Sequence, residues 1–115
     1  VDLIPPNNMI QLASLHIKSK KEFQAHSHLK STKEILEHGA QESWLLLKGK
    51  VEVYLYDLND RLIGSEILEP GDISITLDGG HSYRILEPET FVYEFKTGPY
   101  VDAKSDKRFI NHDKL

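Results

Sequence analysis

From Met9 onward, short runs of strand character alternate with turn signals, and apolar residues almost never recur at the helical period. A half-buried strand repeats every second residue and a helix about every 3.6, so this pattern points to an all-β sandwich or barrel. The clearest strand is Val51 to Leu58 (VEVYLYDL), rich in β-branched and aromatic residues, with Val51, Val53 and Leu55 on one face and Glu52, Tyr54 and Tyr56 on the other. A hairpin through Asn59-Asp60 returns along Leu62 to Leu68. Glu69-Pro70-Gly71-Asp72 has Pro and Gly at the central positions of a type II turn, which leads into Ile73 to Leu77. Asp78-Gly79-Gly80 then reverses the chain into His81 to Leu86. The next strand, Phe91 to Lys96, carries Phe91, Tyr93 and Phe95 on one face, an aromatic stripe expected in the core. Thr32 to His38 (TKEILEH) is too brief for a stable helix and is expected as a loop or hairpin tip.

With 115 residues, 39% of them hydrophobic, the chain can bury one real core and not two. The expected division is a linker or expression remnant over residues 1–8, a barrel over 9–100 and a charged tail over 101–115, in which Phe109-Ile110 can pack back on the body. The net charge is -4 and the 14 Lys and Arg residues are scattered, so nothing resembles a stripe that tracks phosphates and nucleic acid is not an expected partner. No apolar run approaches a membrane span. The absence of cysteine excludes a disulfide framework and a thiolate zinc site, and suits a cytoplasmic location. Any metal must then be held by histidine and carboxylate.

The residues able to do so are ordered along the chain. Positions two apart in a strand share a face, so His26 and His28 can bind one ion or simply stand on a wet sheet surface. Glu42 shares its strand face with Trp44 and Leu46, where a carboxylate is costly unless a cation or hydrogen bonds compensate it. His81 follows two glycines and shares its face with Tyr83 and Ile85, as a ligand, a base or a satisfied structural histidine. Tyr83 is a candidate general acid or a core tyrosine.

Together these pieces resemble the two motifs of the cupin superfamily. They are His26-Ser27-His28, then Glu42 with six residues before Gly49, then Gly71-Asp72 and His81. The resemblance covers about residues Phe23 to Lys96 and implies an antiparallel β-barrel of the jelly-roll kind, the double-stranded β-helix. It also implies a metal centre at His26, His28, Glu42 and His81. Leu77-Asp78-Gly79 stands where the second motif ordinarily has Pro-x-Gly. The larger departure is the thirteen residues between His28 and Glu42, where the family has a much shorter gap. A regular hairpin closed at Glu37 to Ala40 would leave His28 near Gly49, roughly 23 Å along the strand from Glu42 at ~3.3 Å per residue, and no shared metal is then possible. Two other registers keep the site. Either Leu29 to Gln41 loops out and His26 and His28 face Glu42 and His81, or His38 replaces them, leaving His38, Glu42 and His81 as ligands.

Imidazoles and a carboxylate without thiolate suit Fe, Mn, Ni or Zn, and a metal-free barrel is the alternative. The chain is also similar, through Gln41 to Asp57 (QESWLLLKGKVEVYLYD) and Gly79 to Glu87 (GGHSYRILE), to short cupins of sugar-nucleotide and surface-polysaccharide pathways. That implies a small carbohydrate-like ligand, with isomerisation or epimerisation using His81 or His26 as base and Tyr83 as acid. An Fe(II) oxygenase would use the same ligands. The competing function is a metal-free, non-catalytic binding or interaction module. A homodimer is expected in either case, built through the apolar run Met9 to Leu15.

Overall fold

The computed structural model describes residues 1–23, 25–28, 41–98 and 107–110, with the backbone alone for 26–28 and 107–109. The described residues form ten strands and no helix: β1 (Ile10–Ile17), β2 (Lys21–Glu22), β3 (His26–His28), β4 (Glu42–Lys48), β5 (Val51–Tyr56), β6 (Leu62–Leu68), β7 (Ile73–Thr76), β8 (Gly80–Ile85), β9 (Thr90–Thr97) and β10 (Lys107–Phe109). One sheet has four strands in the order β1-β9-β4-β7. The other runs β10-β3-β8-β5-β6, with β2 also paired to β8. All pairings are antiparallel. Apart from the β5–β6 hairpin, the connections from β4 to β9 pass from one sheet to the other, which winds the chain into the expected jelly roll.

The turns work as their residues dictate. Gly71 has φ +94° and the Asp72 amide donates to the Glu69 carbonyl at 2.9 Å, closing a type II turn with glycine at the position that needs positive φ. Between β4 and β5, Gly49 has φ +97°, and a Cβ there would lie 2.2 Å from Thr90 Oγ1, so both the backbone and the contact require glycine.

The core lies between the sheets. Trp44, Leu46 and Val92 from the four-stranded sheet meet Val51, Val53, Leu68, Tyr83 and Ile85 from the other. Tyr56 is also buried. The β5–β6 register shifts between Leu55 and Tyr56, and Tyr56 packs with Ala25 and Ile110 in a second, smaller cluster. The aromatic stripe of β9 departs from expectation: Val92 is fully buried, whereas Tyr93 is 36% exposed and Phe91 and Phe95 are only partly covered. The reason is register. Trp44 pairs with Glu94 and Leu46 with Val92, so once Trp44 turns inward, Glu94 and Val92 must follow and the aromatic residues are left outside.

Residues at both ends of the chain join the body. Asp2 bridges Ala13, and the Leu3 amide donates to Leu12 O at 2.9 Å, so the first residues run along β1. At the other end, β10 lies beside β3, and Ile110, 2% exposed, closes the small cluster.

A buried carboxylate and histidine between the sheets

Three strands bring polar side chains to one end of the interior. Glu42 starts β4 on the same inward row as Trp44 and Leu46, and is 5% exposed. Its register partners are Thr76 of β7 on one side and Lys96 of β9 on the other. From the opposite sheet, β8 directs His81, Tyr83 and Ile85 inward, and His81 is fully buried.

His81 Nε2 lies 3.6 Å from Glu42 Oε2. That distance is too long for a direct hydrogen bond. It is close to the ~3.4 Å edge of a tetrahedron whose metal–ligand bonds are about 2.0–2.1 Å, so the pair has the separation of two ligands of one ion. The other ring nitrogen, Nδ1, is held by Thr76 Oγ1 at 2.7 Å. A hydroxyl there fixes the plane of the ring, and when it accepts from Nδ1–H it leaves the Nε2 lone pair facing Glu42.

Beneath this pair is an aromatic floor. The Trp44 and Tyr83 rings stack at 3.7 Å between centroids and 1° between planes, and His81 tilts over Tyr83 at 5.1 Å. The Tyr83 hydroxyl shares a hydrogen bond with Ser74 Oγ at 3.1 Å. Burial, reinforced by the negative charge of Glu42, drives the phenol pKa far above its ordinary range. Tyr83 therefore stays protonated throughout the range in which the protein would work.

Glu94 was not among the candidates read from the sequence. It accepts the Trp44 indole N–H at 2.7 Å and hydrogen-bonds the Glu42 carboxyl. Burial first, and then the charge of Glu42, raise its pKa from 4.5 to about 7, while the indole N–H and Lys96 act in the opposite sense. Glu94 therefore keeps its proton up to about neutral pH beside the Glu42 carboxylate. The available signal was Trp44, because a buried indole needs an acceptor. Locating that acceptor required the β4–β9 register.

The histidine strand is placed by its backbone. His26 is the register partner of His81, and His28 is the partner of Lys107. β3 pairs with β8 and β10 and not with β4, so the regular hairpin that would have carried His28 to the Gly49 end is not formed. His38 and most of the Leu29 to Gln41 segment lie outside the described residues. Among the described residues, no group of three His, Asp or Glu side chains gathers to hold a metal ion. The donor set of Glu42 and His81 nonetheless fits two positions of such a site. An open groove of about 420 Å3 borders the Glu42 end, lined by Glu42, Gln41 and Lys96 on its polar side and by Ile75, Leu77 and Phe95 on its apolar side. No helix of the described residues is long and apolar enough to cross a membrane.

No protein-family model matches the chain, and no curated protein matches it either. Solved structures do. The cupin domain of Schizosaccharomyces pombe Cnp3 superposes with a TM-score of 0.63 at 13% identity, over 84% of this chain and 58% of that one. KdgF from a Halomonas species gives 0.62 at 18% identity, over 84% and 75%. A Lactobacillus farciminis oxalate decarboxylase in complex with formate gives 0.67 at 15% identity, over 91% of this chain and 29% of the decarboxylase. This chain thus spans little more than half of the Cnp3 chain and under a third of the decarboxylase. At these identities the likeness is one of architecture, and together with the two wound antiparallel sheets it shows that the chain has the fold of the cupin domains.

Proposed function

We propose that this chain is a small metal-binding cupin that receives a small polar, carbohydrate-like ligand at the Glu42 end of its interior. The observation that carries the proposal is the buried Glu42–His81 pair, set 3.6 Å apart across the two sheets with the far side of the imidazole held by Thr76. A carboxylate at 5% exposure is costly to bury; the hydrogen bond with Glu94 offsets part of that cost, and a divalent cation between Glu42 and His81 would offset more. His26, as the register partner of His81, and His28 complete the ligand set, with His38 as the alternative third ligand. A bound Fe, Mn, Ni or Zn ion would act as a Lewis acid on a ligand oxygen.

The protein's own groups divide the remaining work. Glu94 holds Glu42 in place and keeps a proton beside it near neutral pH. Lys96, the register partner of Glu42, brings a positive charge to the same end. Tyr83 forms the floor of the site, since its phenol is buried and engaged by Ser74; with Glu42 and His81 committed to the metal, the proton that Glu94 keeps near neutral pH is the one available to any isomerisation or epimerisation. An oxalate decarboxylase of similar fold was solved as a formate complex, and a small oxygen-rich ligand of that kind is what we propose here.

Metal analysis of the purified protein tests the proposal. We expect a stoichiometric transition metal that is lost in both Glu42→Ala and His81→Ala and retained in Ile63→Ala, a surface control. Comparing His28→Ala with His38→Ala identifies the third ligand. Metal-free protein whose fold and stability are unchanged by added Mn, Fe, Ni or Zn would refute the metal site and leave a metal-free binding module in its place.

A further inference from the structure

A second cleft lies at the end of the molecule away from Glu42. Along β9, Lys96 is the register partner of Glu42, and Phe91 stands roughly 16 Å further on at ~3.3 Å per residue. At that end β1 is an edge strand whose free side is only partly covered. The first residues run beside it, with Asp2 bridging Ala13 and the Ser14 amide donating to Val1 O at 2.9 Å; past Ser14, among the described residues, no strand lies next to it. The link through Lys18, Ser19 and Lys20 then carries the chain to β2 on the other sheet, so the two sheets part along this seam. The result is a cleft of about 540 Å3. Leu15, Ile17 and Phe23 line its inner side and pack against the core, while His16 and its register partner Phe91 line the outer side.

The walls are fixed in place. The Phe23 amide donates to Tyr83 O at 2.8 Å, its carbonyl accepts from Ser82 Oγ at 2.7 Å, and its ring meets Trp44 edge-on at 5.6 Å. On the outer side Glu89 takes a left-handed backbone, φ +59°, which is uncommon for a residue with a side chain. Its carboxylate pairs with His16, whose ring stacks on Phe91 at 5.2 Å between centroids. A cleft of this size with apolar walls suits a small molecule. Two donors set the charge of that molecule. Lys21 holds its ammonium 4.4 Å over the Phe23 ring and meets no carboxylate among the described residues, since Glu22 alternates to the other side of β2 and Glu89 is engaged by His16. The second donor is backbone. Ser14 turns its amide to Val1 and away from β9, so at a period of two the His16 N–H also faces the free edge, where no described group accepts it. A cation and an unpaired N–H beside aromatic walls select an anionic group on an apolar body.

We propose that this cleft binds a small aromatic acid, with its flat apolar body against Leu15, Ile17 and Phe23 and its carboxylate accepting from the Lys21 ammonium and the His16 N–H. The site is separate from the metal and ligand proposed at Glu42 and His81, so failure there leaves it untouched. Calorimetric titration of the whole chain with 2-naphthoate, in the presence of a chelator, tests it. The expected result is one site with a Kd of about 0.1–1 mM, and binding of the neutral 2-naphthamide about tenfold weaker. Lys21→Met should weaken naphthoate about tenfold and abolish the preference for the acid. Ser14→Phe, which fills part of the cleft, should weaken both ligands. Glu42→Ala, at the other end, should bind naphthoate as the wild type does. Circular dichroism confirms that each variant is folded, and because Lys21 is exposed, its variant decides the matter even where Ser14→Phe does not fold. No binding of naphthoate at about 1 mM, equal affinity for the acid and the amide, unchanged affinity in Lys21→Met, or loss of binding in Glu42→Ala overturns the proposal.

Discussion

Glu94→Gln isolates the contribution of the Glu94 proton. In the folded protein the Glu94 carboxyl titrates at about 7 rather than 4.5, chiefly because it is buried and next to Glu42. Between those values the folded state holds a proton that the unfolded state has released. Stability therefore falls as pH rises through that window, is fully present below about 4.5, and is lost above about 7. One pKa unit is worth about 1.4 kcal/mol, so the rise from 4.5 to about 7 amounts to at most about 3.5 kcal/mol. Glutamine keeps the acceptor for the Trp44 indole and can donate its amide N–H to Glu42, but it cannot ionise. The variant should match the wild type near pH 5 and exceed it by about 2–3 kcal/mol at pH 8. Trp44, the only tryptophan, reports unfolding from inside the cluster. Urea titrations in the presence of a chelator, at several pH values from 5 to 8, provide the comparison. A wild-type-to-variant difference that does not change with pH would show that Glu94 does not titrate in this window, and the reasoning would fail.

Two further substitutions probe the frame of the site. Gly49→Ala must accept a φ of +97° and a Cβ 2.2 Å from Thr90 Oγ1, so thermal or urea unfolding should show a loss of about 2–4 kcal/mol; a loss under about 1 kcal/mol would mean that the β4–β5 turn relaxes freely. Thr76→Val removes the hydroxyl that holds His81 Nδ1 with little change of volume, and should weaken metal affinity about 10–100-fold, while Thr76→Ser restores it; equal affinity in all three proteins would remove Thr76 from the account.

How far the sequence foretold this arrangement depended on whether a signal was local. Glu42 stood out because a carboxylate on the same strand face as Trp44 and Leu46 has to be compensated, and the alternation of β4 is intact. His81 stood out by its place after the glycines of the β7–β8 turn, and the turn at Gly71 was legible from residue chemistry alone, whereas Gly49 was marked only by its distance from Glu42. Glu94 was hidden for the opposite reason. Three aromatic residues at period two dominate β9, and which side they take is decided by the register with β4, a pairing across about fifty residues of sequence that no local pattern encodes. The position of β3 was equally non-local, because its neighbours are β8 and β10 rather than the strand that follows it.

That last pairing bears on how the protein is made. His26 finds its register partner His81 only after most of the chain exists, and β3 gains its second neighbour only when residues 107–109 arrive. Contacts so distant in sequence form slowly, since the closure entropy of long loops is spent before the contacts repay it. During synthesis, the Glu42 and His81 strands can pair with their own neighbours while the histidine strand still lacks one side of its sheet. The interior should therefore be the last part of the protein to become water-tight, and a growing chain stalled before residue 107 should hold its apolar core without a finished site.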